Sequence, residues 1–504
     1  MAADQFTFIV SDGPELAKDP KIRRLNSDSA STDSVDSPED EVTSTSGPLV
    51  AIRTPDTDDL TVSRDYIDDS YPFDLDSFSP FAPSDKSPMI MFPFFSPYEI
   101  TRARNSLDIS ELSMLTNFNV GGGIKLVMGS DTSRLVTLLQ HKQWSFVQYV
   151  PAYYGTSECI TLATDCLLSK VRSVLNADPK LERTSLRLYT ACLRSLQRAL
   201  RDPTECTKPE VLCATQLLGL YELFNPDAES SAYAHHLDGC VRLIRHRSPT
   251  SFTTDFEKAL FAAHTGPCEL DAIRNNYPCY LDTDQWREVY SSLVVDTEEL
   301  NERCQLAIDV RLEFFALPGL WHDVELSLTT STLFLSPSTQ SALESRCRKM
   351  NASFSSWMSR YAQHTRSRPS VSDIESAKRR ELYGMALECG PVVKRLLASV
   401  CEDERIELEK EAMQMSRELL ALQARPGPAH AWLYNMHEAN IARSVIASNH
   451  RWMEGNEGLD EMAVKRARRG RYLDWVRMMG RVPKCADEER FGAVEVNHNA
   501  YVWN

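Results

Sequence analysis

Three amphipathic segments in the middle of the chain decide the fold class. They read TSLRLYTACLRSLQRALRDP (184–203), PEVLCATQLLGLYELFNP (209–226) and SSAYAHHLDGCVRLIRHRSP (230–249). In the first segment, apolar residues recur at steps of three and four, which places them on one stripe of a helix: Leu186, Tyr189, Leu193, Leu196 and Leu200. Asp202-Pro203 and Asn225-Pro226 interrupt the pattern, and such short loops favour antiparallel neighbouring helices.

Helical patterns continue on both sides of these segments. Thr254 precedes Glu257 by three residues, which predicts a capping box at the start of a fourth helix. The segment 304–320 is apolar and helical in pattern, and we expect its helix to end at Pro318-Gly319. Strand patterns are nearly absent. The sequence therefore predicts an all-α array or bundle of antiparallel helices with a first lobe at 131–330, a second lobe at 331–490 and a C-terminal tail at 491–504, and we expect 327–340 to cross between the lobes.

Composition limits the class of protein. The 504 residues are 42% hydrophobic, which is enough for one large core or two ordinary cores. No run of about 18 apolar residues is present, so no membrane contact is predicted. All 13 cysteines lie singly at or after Cys159, which favours reduced, mostly buried thiols and a nuclear or cytosolic location.

The N-terminal region differs from the rest in charge. Residues 1–130 hold 22 Asp and Glu against 10 Lys and Arg, so they carry most of the net charge of −16. Residues 26–48 have too few apolar groups to offset the entropy of ordering. We therefore expect residues 1–130 to be largely disordered, with the apolar run 89–100 lying on the helical body as an irregular arm.

Aromatic residues alternate with acidic residues in SRDYIDDSYPFDLDSFSPFAP (63–83). This composition is typical of disordered activation segments that bind coactivators. The aromatic candidates are Tyr66, Tyr71, Phe73, Phe78 and Phe81. An equally good interpretation is a solvated linker whose aromatic residues pack on the helical body.

Known catalytic and metal-binding motifs are missing from the sequence. The glycines at 121–123 lack the spacing of a phosphate-binding loop, and no G-x-S-x-G, H-E-x-x-H or C-x-x-C motif occurs. His235 and His236 are adjacent and point apart on a helix, so we expect a capping or surface role. No catalytic residue, cofactor or metal site is predicted.

Two basic runs remain. Lys378, Arg379 and Arg380 lie beside glutamates in a helical pattern, which predicts a salt-bridged, solvated face. A denser run is an import signal or a patch for an acidic partner; it contains Lys465, Arg466, Arg468, Arg469 and Arg471. A basic helix end on an acidic protein is the alternative. Such a patch alone gives phosphate contact without base readout, so sequence-specific DNA binding by this chain alone is not expected.

Several motifs resemble a known family. LRSLQRAL (193–200), ATQLLGLYELF (214–224), AHHLDGCVRLIRHR (234–247), FEKALF (256–261) and NNYPCYLDTDQW (275–286) are similar to the regulatory helical region of fungal zinc-cluster transcription factors, the fungal-specific transcription factor domain. The resemblance extends over roughly 135–481 and implies an all-helical region that modulates activation and senses a small molecule in an interhelical cavity. The six-cysteine zinc cluster of such factors is missing before Cys159. We therefore expect either a cofactor-like relative of such factors or one whose cluster is encoded upstream.

These observations lead to a function hypothesis. We expect a non-enzymatic, nuclear regulator of fungal transcription that acts with a DNA-binding co-regulator or the transcription machinery and binds a small hydrophobic ligand. The alternative is a helical ligand-binding or scaffold protein, in the cytoplasm, derived from the same domain.

Overall fold

Helices make up the ordered body of the molecule. The computed structural model describes residues 95–479, apart from 118–123, 125, 126, 130, 226–229, 330–336, 371 and 426–437. No strand occurs in this described part, which confirms the all-α prediction. The activation segment 63–83, the rest of 1–94 and the tail 491–504 lie outside the described residues.

The first half of the helical body contains nine α-helices within the described residues. Their bounds are α1 Pro97–Asn105, α2 Arg134–Leu139, α3 Val150–Tyr153, α4 Glu158–Asn176, α5 Pro179–Arg201, α6 Pro209–Leu223, α7 Ser230–Arg247, α8 Asp255–Asn275 and α9 Asp284–Ser291. Helix α4 packs along α5 after a short connection, which makes the two antiparallel, and α6 packs against both α4 and α7.

The second half contains six longer α-helices in the part that the structure describes. They are α10 Gln305–Thr329, α11 Pro337–Ser367, α12 Asp373–Val400, α13 Arg405–Ala424, α14 Glu438–Met453 and α15 Glu461–Met478. Helix α12 lies at the centre of this half, because it packs against α10, α11, α13 and α14. None of the described helices combines the length and apolarity that crossing a membrane requires.

The helical body begins before residue 131. Ser96 caps α1, Pro97 occupies its first turn, and Glu99 completes a capping box with Ser96. A 3-10 helix, Ile109–Thr116, follows and buries Ile109, Leu112 and Leu115 in the first core. The described residues 95–117 therefore belong to the helical body, and residues 97–100 form a regular helix rather than the expected irregular arm.

Two hydrophobic cores meet at α10. Its Ile308 and Phe315 lie in the core of the first half, whereas its Trp321 and Val324 lie in the core of the second. The expected helix end at Pro318 is wrong, since α10 continues to Thr329 through that proline. Proline removes one helical hydrogen bond, but burial of apolar residues on both sides of Pro318 keeps the helix intact.

Candidate ligand-binding cavities

Two neighbouring cavities lie beside the 3-10 helix. The first, of about 60 Å³, lies among α6, α7 and α8, and we call it the histidine cavity because His236 and His264 line it. The second, of about 90 Å³, is called the ionic cavity and is lined by Glu302, Arg311, Lys378 and Glu381 among others. Thr116, Asn117 and Ala263 line both cavities.

The histidine cavity owes its position to the burial of α6. Every residue from Val211 to Leu223 in this helix is buried, because neighbouring elements surround it on all sides. Gly219 faces α7, and a Cβ added there would lie 3.6 Å from the Cβ of His236. This distance is an ordinary van der Waals contact, and the missing side chain of Gly219 leaves the cavity wall open beside it.

His236 is a buried cavity residue, so the expected capping or surface role is wrong for this side chain. Only 5% of it is exposed, and its Nε2 lies 3.0 Å from the Tyr189 hydroxyl oxygen. Burial, together with the nearby His235, lowers the pKa of His236 to about 4, so the ring is neutral at physiological pH. Its Nδ1 is buried and has no hydrogen-bond partner among the described residues.

His264 and Gln216 repeat this arrangement. The His264 ring donates a hydrogen bond to the Leu237 carbonyl, while its buried Nε2 has no partner in the described structure. Burial lowers the pKa of His264 to about 4. Gln216 donates from Nε2 to the Leu260 carbonyl at 2.8 Å and leaves its buried Oε1 without a partner among the same residues.

Cys240 places a thiol in the same wall. Burial raises the pKa of Cys240, so the sulfur remains protonated and is a poor nucleophile. The twelve described cysteines are buried and free, as the sequence predicted. No three His, Cys, Asp or Glu side chains in the described ranges form a group suited to a metal ion.

The ionic cavity contains paired charges. Lys378 Nζ lies 2.5 Å from Glu381 Oε2 and 3.4 Å from Glu302 Oε1. Burial alone would lower the pKa of Lys378, but these two carboxylates raise it, so the lysine stays charged. Asn117 donates to Glu381 at 3.2 Å and thereby links the 3-10 segment to α12.

A carboxyl group lies behind this cavity wall. Glu269 Oε2 is 3.8 Å from Arg311 Nη1, whereas its buried Oε1 has no hydrogen-bond partner in the described part of the chain. Burial raises the pKa of Glu269 to about 8 despite the opposing effect of Arg311. This carboxyl group is therefore largely protonated at neutral pH.

Lys378 and Arg379 are salt-bridged, as predicted, but the run at 378–380 is not a solvated face. Lys378 is only 8% exposed and lies in the ionic cavity. Arg379 pairs with Glu375 at 2.7 Å. The helical pattern at 373–400 could not show which face is covered, because α12 is enclosed by several neighbouring helices.

The structure divides the predicted basic patch of α15. Arg471 is 5% exposed and binds both carboxylate oxygens of Glu402 at 2.8 Å. Arg468 lies 3.6 Å from the same carboxylate. Lys465 pairs with Glu461 at 2.9 Å, and both Lys465 and Arg466 are exposed. Arg469 is half-buried, so the exposed charge is concentrated at 465 and 466.

Sequence reasoning missed the cavity residues, although one signal was present. Gln216 is the only amide side chain in the apolar run 211–221, and a polar residue within such a run is informative once the helix is known to be buried. The convergence of Gln216, His236 and His264 depends on tertiary packing of three helices, which no local pattern encodes.

Comparison with known proteins agrees with this architecture. The model of the fungal specific transcription factor domain matches residues 165–265, which include α5, α6, α7 and both cavity histidines. No curated protein and no solved structure matches the chain. The match confirms the resemblance seen in the motifs of this region. Residues 165–265 therefore resemble a fungal specific transcription factor domain, and they contribute part of the first of the two helical cores.

Proposed function

We propose that this transcriptional regulator works in the fungal nucleus without enzymatic activity, through its helical domain and its acidic aromatic segment, together with a DNA-binding partner. The match of residues 165–265 to the fungal specific transcription factor domain carries the proposal. The acidic and aromatic composition of 63–83 supports contact with coactivators.

A reporter assay tests the activation step. We expect residues 56–97 fused to a heterologous DNA-binding module to activate a reporter gene. The matched control replaces Tyr66, Tyr71, Phe73, Phe78 and Phe81 by serine, which keeps the acidic charge and removes the aromatic groups. Equal activity of the two fusions would contradict an aromatic activation segment, and inactivity of both would favour a role outside transcription.

Nuclear import is tested on the exposed end of the basic patch. Lys465→Ala combined with Arg466→Ala removes the two exposed charges and leaves the Arg471 pair with Glu402 intact. We expect a fluorescent fusion of the full chain to shift toward the cytoplasm, with an unchanged melting temperature. Unchanged nuclear accumulation would remove this patch from the proposal.

The need for a DNA-binding partner makes its own prediction. We expect the purified chain to bind duplex DNA only weakly, with an affinity that falls steeply with salt and is the same for unrelated sequences. Fluorescence anisotropy with two unrelated duplexes measures this. A strong preference for one duplex at physiological salt would show that the chain reads bases without a partner. Transcript profiling of a deletion strain against its parent would then identify the regulated genes.

The second candidate function is a non-enzymatic ligand-binding or scaffold protein derived from the same domain. The histidine cavity favours it, since three buried polar atoms there have no partner among the described residues. A fusion of 56–97 that fails to activate, together with tight ligand binding by the helical body, would support this candidate over the first.

A further inference from the structure

The exposed side of α5 carries a row of basic side chains. One lysine and five arginines follow one another at steps of three, four, seven, four and three residues, and all six are exposed. We call this row the arginine face; it consists of Lys180, Arg183, Arg187, Arg194, Arg198 and Arg201. At about 100° per residue, these steps place the six side chains within an arc of about 60° on one side of the helix. The row is about 32 Å long and so extends along almost the whole helix.

The other side of α5 holds the helix on the body. Helix α5 packs against α4 and α6, and its Ser185 and Cys192 are buried in that contact. Glu182 is the single acidic residue of the helix, and it pairs with the buried Lys170 of α4 rather than with the arginine face. The helix is therefore fixed through one side and presents its basic side to solvent.

The arginine face has almost no counter-charge. Arg198 pairs with Glu158 of α4 at 2.6 Å, and both side chains are more than half exposed. The side chains of the other five residues form no ion pair or hydrogen bond with any residue that the structure describes. The exposed Arg346 of α11, by contrast, pairs with Asp323 at 2.5 Å. The arginine face is thus a concentrated positive charge on the surface of the helical body.

This concentration of charge is unfavourable in the isolated chain. Like charges three or four residues apart on a helix repel each other and destabilise it. The chain contains 71 acidic residues against 55 basic ones, so acidic side chains are abundant, yet they do not neutralise this row. A negatively charged partner would remove the repulsion, and a positive surface attracts such a partner at long range. The charge distribution therefore indicates an anionic macromolecule as the partner.

An acidic protein fits the arginine face better than a nucleic acid does. Leu186 lies at the edge of the face and is 57% exposed. A protein segment can cover this leucine with an apolar side chain, whereas a phosphate backbone has nothing apolar to place there. A helix in the DNA major groove, which is about 12 Å wide, also meets phosphates on both of its sides. The cations of α5 occupy one narrow arc, which suits contact along a single acidic surface.

We propose that the arginine face binds an acidic helix of a partner protein, and that an apolar side chain of this helix covers Leu186. Carboxylates that recur every three or four residues on the partner helix have the same rise as the cations of α5, so the two rows can pair along their length. This inference goes beyond the proposed function, because it assigns a contact surface on the helical body. It depends neither on the segment 63–83 nor on positions 465 and 466, so the reporter and import assays can fail without it, and it can fail without them.

Two synthetic peptides of the same composition separate recognition of a charged row from attraction to net charge. The patterned peptide has glutamates on one side of an alanine-rich helix, at the spacing of the arginine face, and a leucine at the edge of that side. The scrambled peptide distributes the same residues around the helix. We expect the purified full chain to bind the patterned peptide about tenfold more tightly in fluorescence anisotropy, with an affinity that falls as salt is added. Equal affinity for the two peptides would overturn the proposal.

Charge reversal in the middle of the row tests the surface itself. We expect Arg187→Glu combined with Arg194→Glu to weaken binding of the patterned peptide about tenfold or more. The variant should melt at the same or a higher temperature, because repulsion within the helix is reduced. The matched control is Lys349→Glu combined with Arg417→Glu, which changes the net charge equally at two exposed cations without an ion pair in the described structure. Similar losses of affinity in the two double variants would overturn the proposal.

A third variant distinguishes an acidic protein from a nucleic acid. We expect Leu186→Ser to weaken binding of the patterned peptide about threefold, because an apolar contact is lost, and to leave the weak binding of duplex DNA unchanged. Its melting temperature should stay the same, since the leucine is exposed. An unchanged peptide affinity would contradict the apolar contact. A DNA duplex that binds more tightly than the patterned peptide, and that loses this binding on reversal of Arg187 and Arg194, would overturn the proposal in favour of a nucleic-acid surface.

Discussion

At the scale of single residues, Arg395 carries an enclosed charge in the second half. It is fully buried and forms two hydrogen bonds with the buried Glu409, at 3.0 Å and 2.6 Å, and a third with Ser448 at 2.7 Å. Its guanidinium carbon lies 4.7 Å from the ring centre of Trp452 and 5.3 Å from that of Trp475. These contacts together link α12, α13, α14 and α15.

Removing one partner of this pair should be costly. We expect Arg395→Ala to lower the free energy of unfolding by about 3–5 kcal/mol, because the Glu409 carboxylate would remain buried without a counter-charge. Arg395→Lys should also destabilise, since an ammonium group cannot form the two parallel bonds. Urea denaturation measures both. The exposed pair of Arg346 with Asp323 is the matched control, and Arg346→Ala should cost under about 1 kcal/mol; similar losses at both sites would contradict the assignment.

Glu269 makes the stability depend on pH. Its pKa in the folded protein is about 8, above the ordinary value of 4.5, so the folded state keeps a proton that the unfolded chain releases. Stability contributed by this group is present below about pH 4.5 and is lost as the pH rises toward 8. We expect Glu269→Gln to reduce the fall in urea midpoint between pH 5 and pH 8. If the substitution left the change of urea midpoint with pH unaltered, the pKa of Glu269 would not be raised in the folded protein.

Glu257 changes stability with pH in the opposite direction to Glu269. Burial would raise the pKa of Glu257, but hydrogen bonds from Thr254 and the nearby Arg247 hold it below its ordinary value. Its contribution to stability is therefore present at neutral pH and is lost on acidification. Glu257→Gln should accordingly reduce the loss of stability at low pH and leave the slope between pH 5 and pH 8 in place.

At the scale of elements, the capping box of α8 is both predicted and observed. The Thr254 hydroxyl accepts from the Glu257 amide at 3.2 Å, and the Glu257 carboxylate accepts from the Thr254 amide at 3.0 Å. We expect Thr254→Ala to cost about 1 kcal/mol in the free energy of unfolding. Thr190, exposed within α5 and bonded to its own helix, is the control, and Thr190→Ala should be neutral or slightly stabilising. Equal effects would argue against a cap.

The sequence predicts that these segments are helices, but it predicts only in part which face of each helix is buried. Leu196 and Leu200 of the predicted stripe on α5 are buried, whereas Leu186 is 57% exposed. The buried face is shifted toward small residues such as Ser185 and Cys192, which let α5 lie close to α4. A hydrophobic stripe marks the apolar side of a helix, but close packing through small side chains decides the final rotation.

At the scale of the whole molecule, the two cores share α10. Phe315 is fully buried in the first core, and Trp321, six residues later, lies in the second. We expect fluorine-labelled Trp286 and Trp357, one in each core, to report the same urea midpoint. Phe315→Ala should lower the free energy of unfolding by about 3–5 kcal/mol, and both midpoints should therefore fall together.

The control for this prediction lies in the same helix. Leu326 is 53% exposed, so Leu326→Ala should shift neither midpoint appreciably. Separate midpoints for Trp286 and Trp357 in the unmodified chain would contradict the prediction, since the halves would then unfold independently. Periodicity alone could not reveal this sharing, because Pro318 mimics a helix end in the sequence.

The enclosed thiols have a practical consequence for handling and for life in the cell. All twelve described cysteines are buried, so oxidants and alkylating reagents reach them only when the helices separate. If the helices separate briefly in an oxidising medium, the exposed thiols can be oxidised. The oxidised chain cannot repack its core, so a reversible opening would become irreversible inactivation. The protein should therefore be most stable in storage when a reductant is present. The rate at which a thiol reagent labels the cysteines would measure how often the helical core opens.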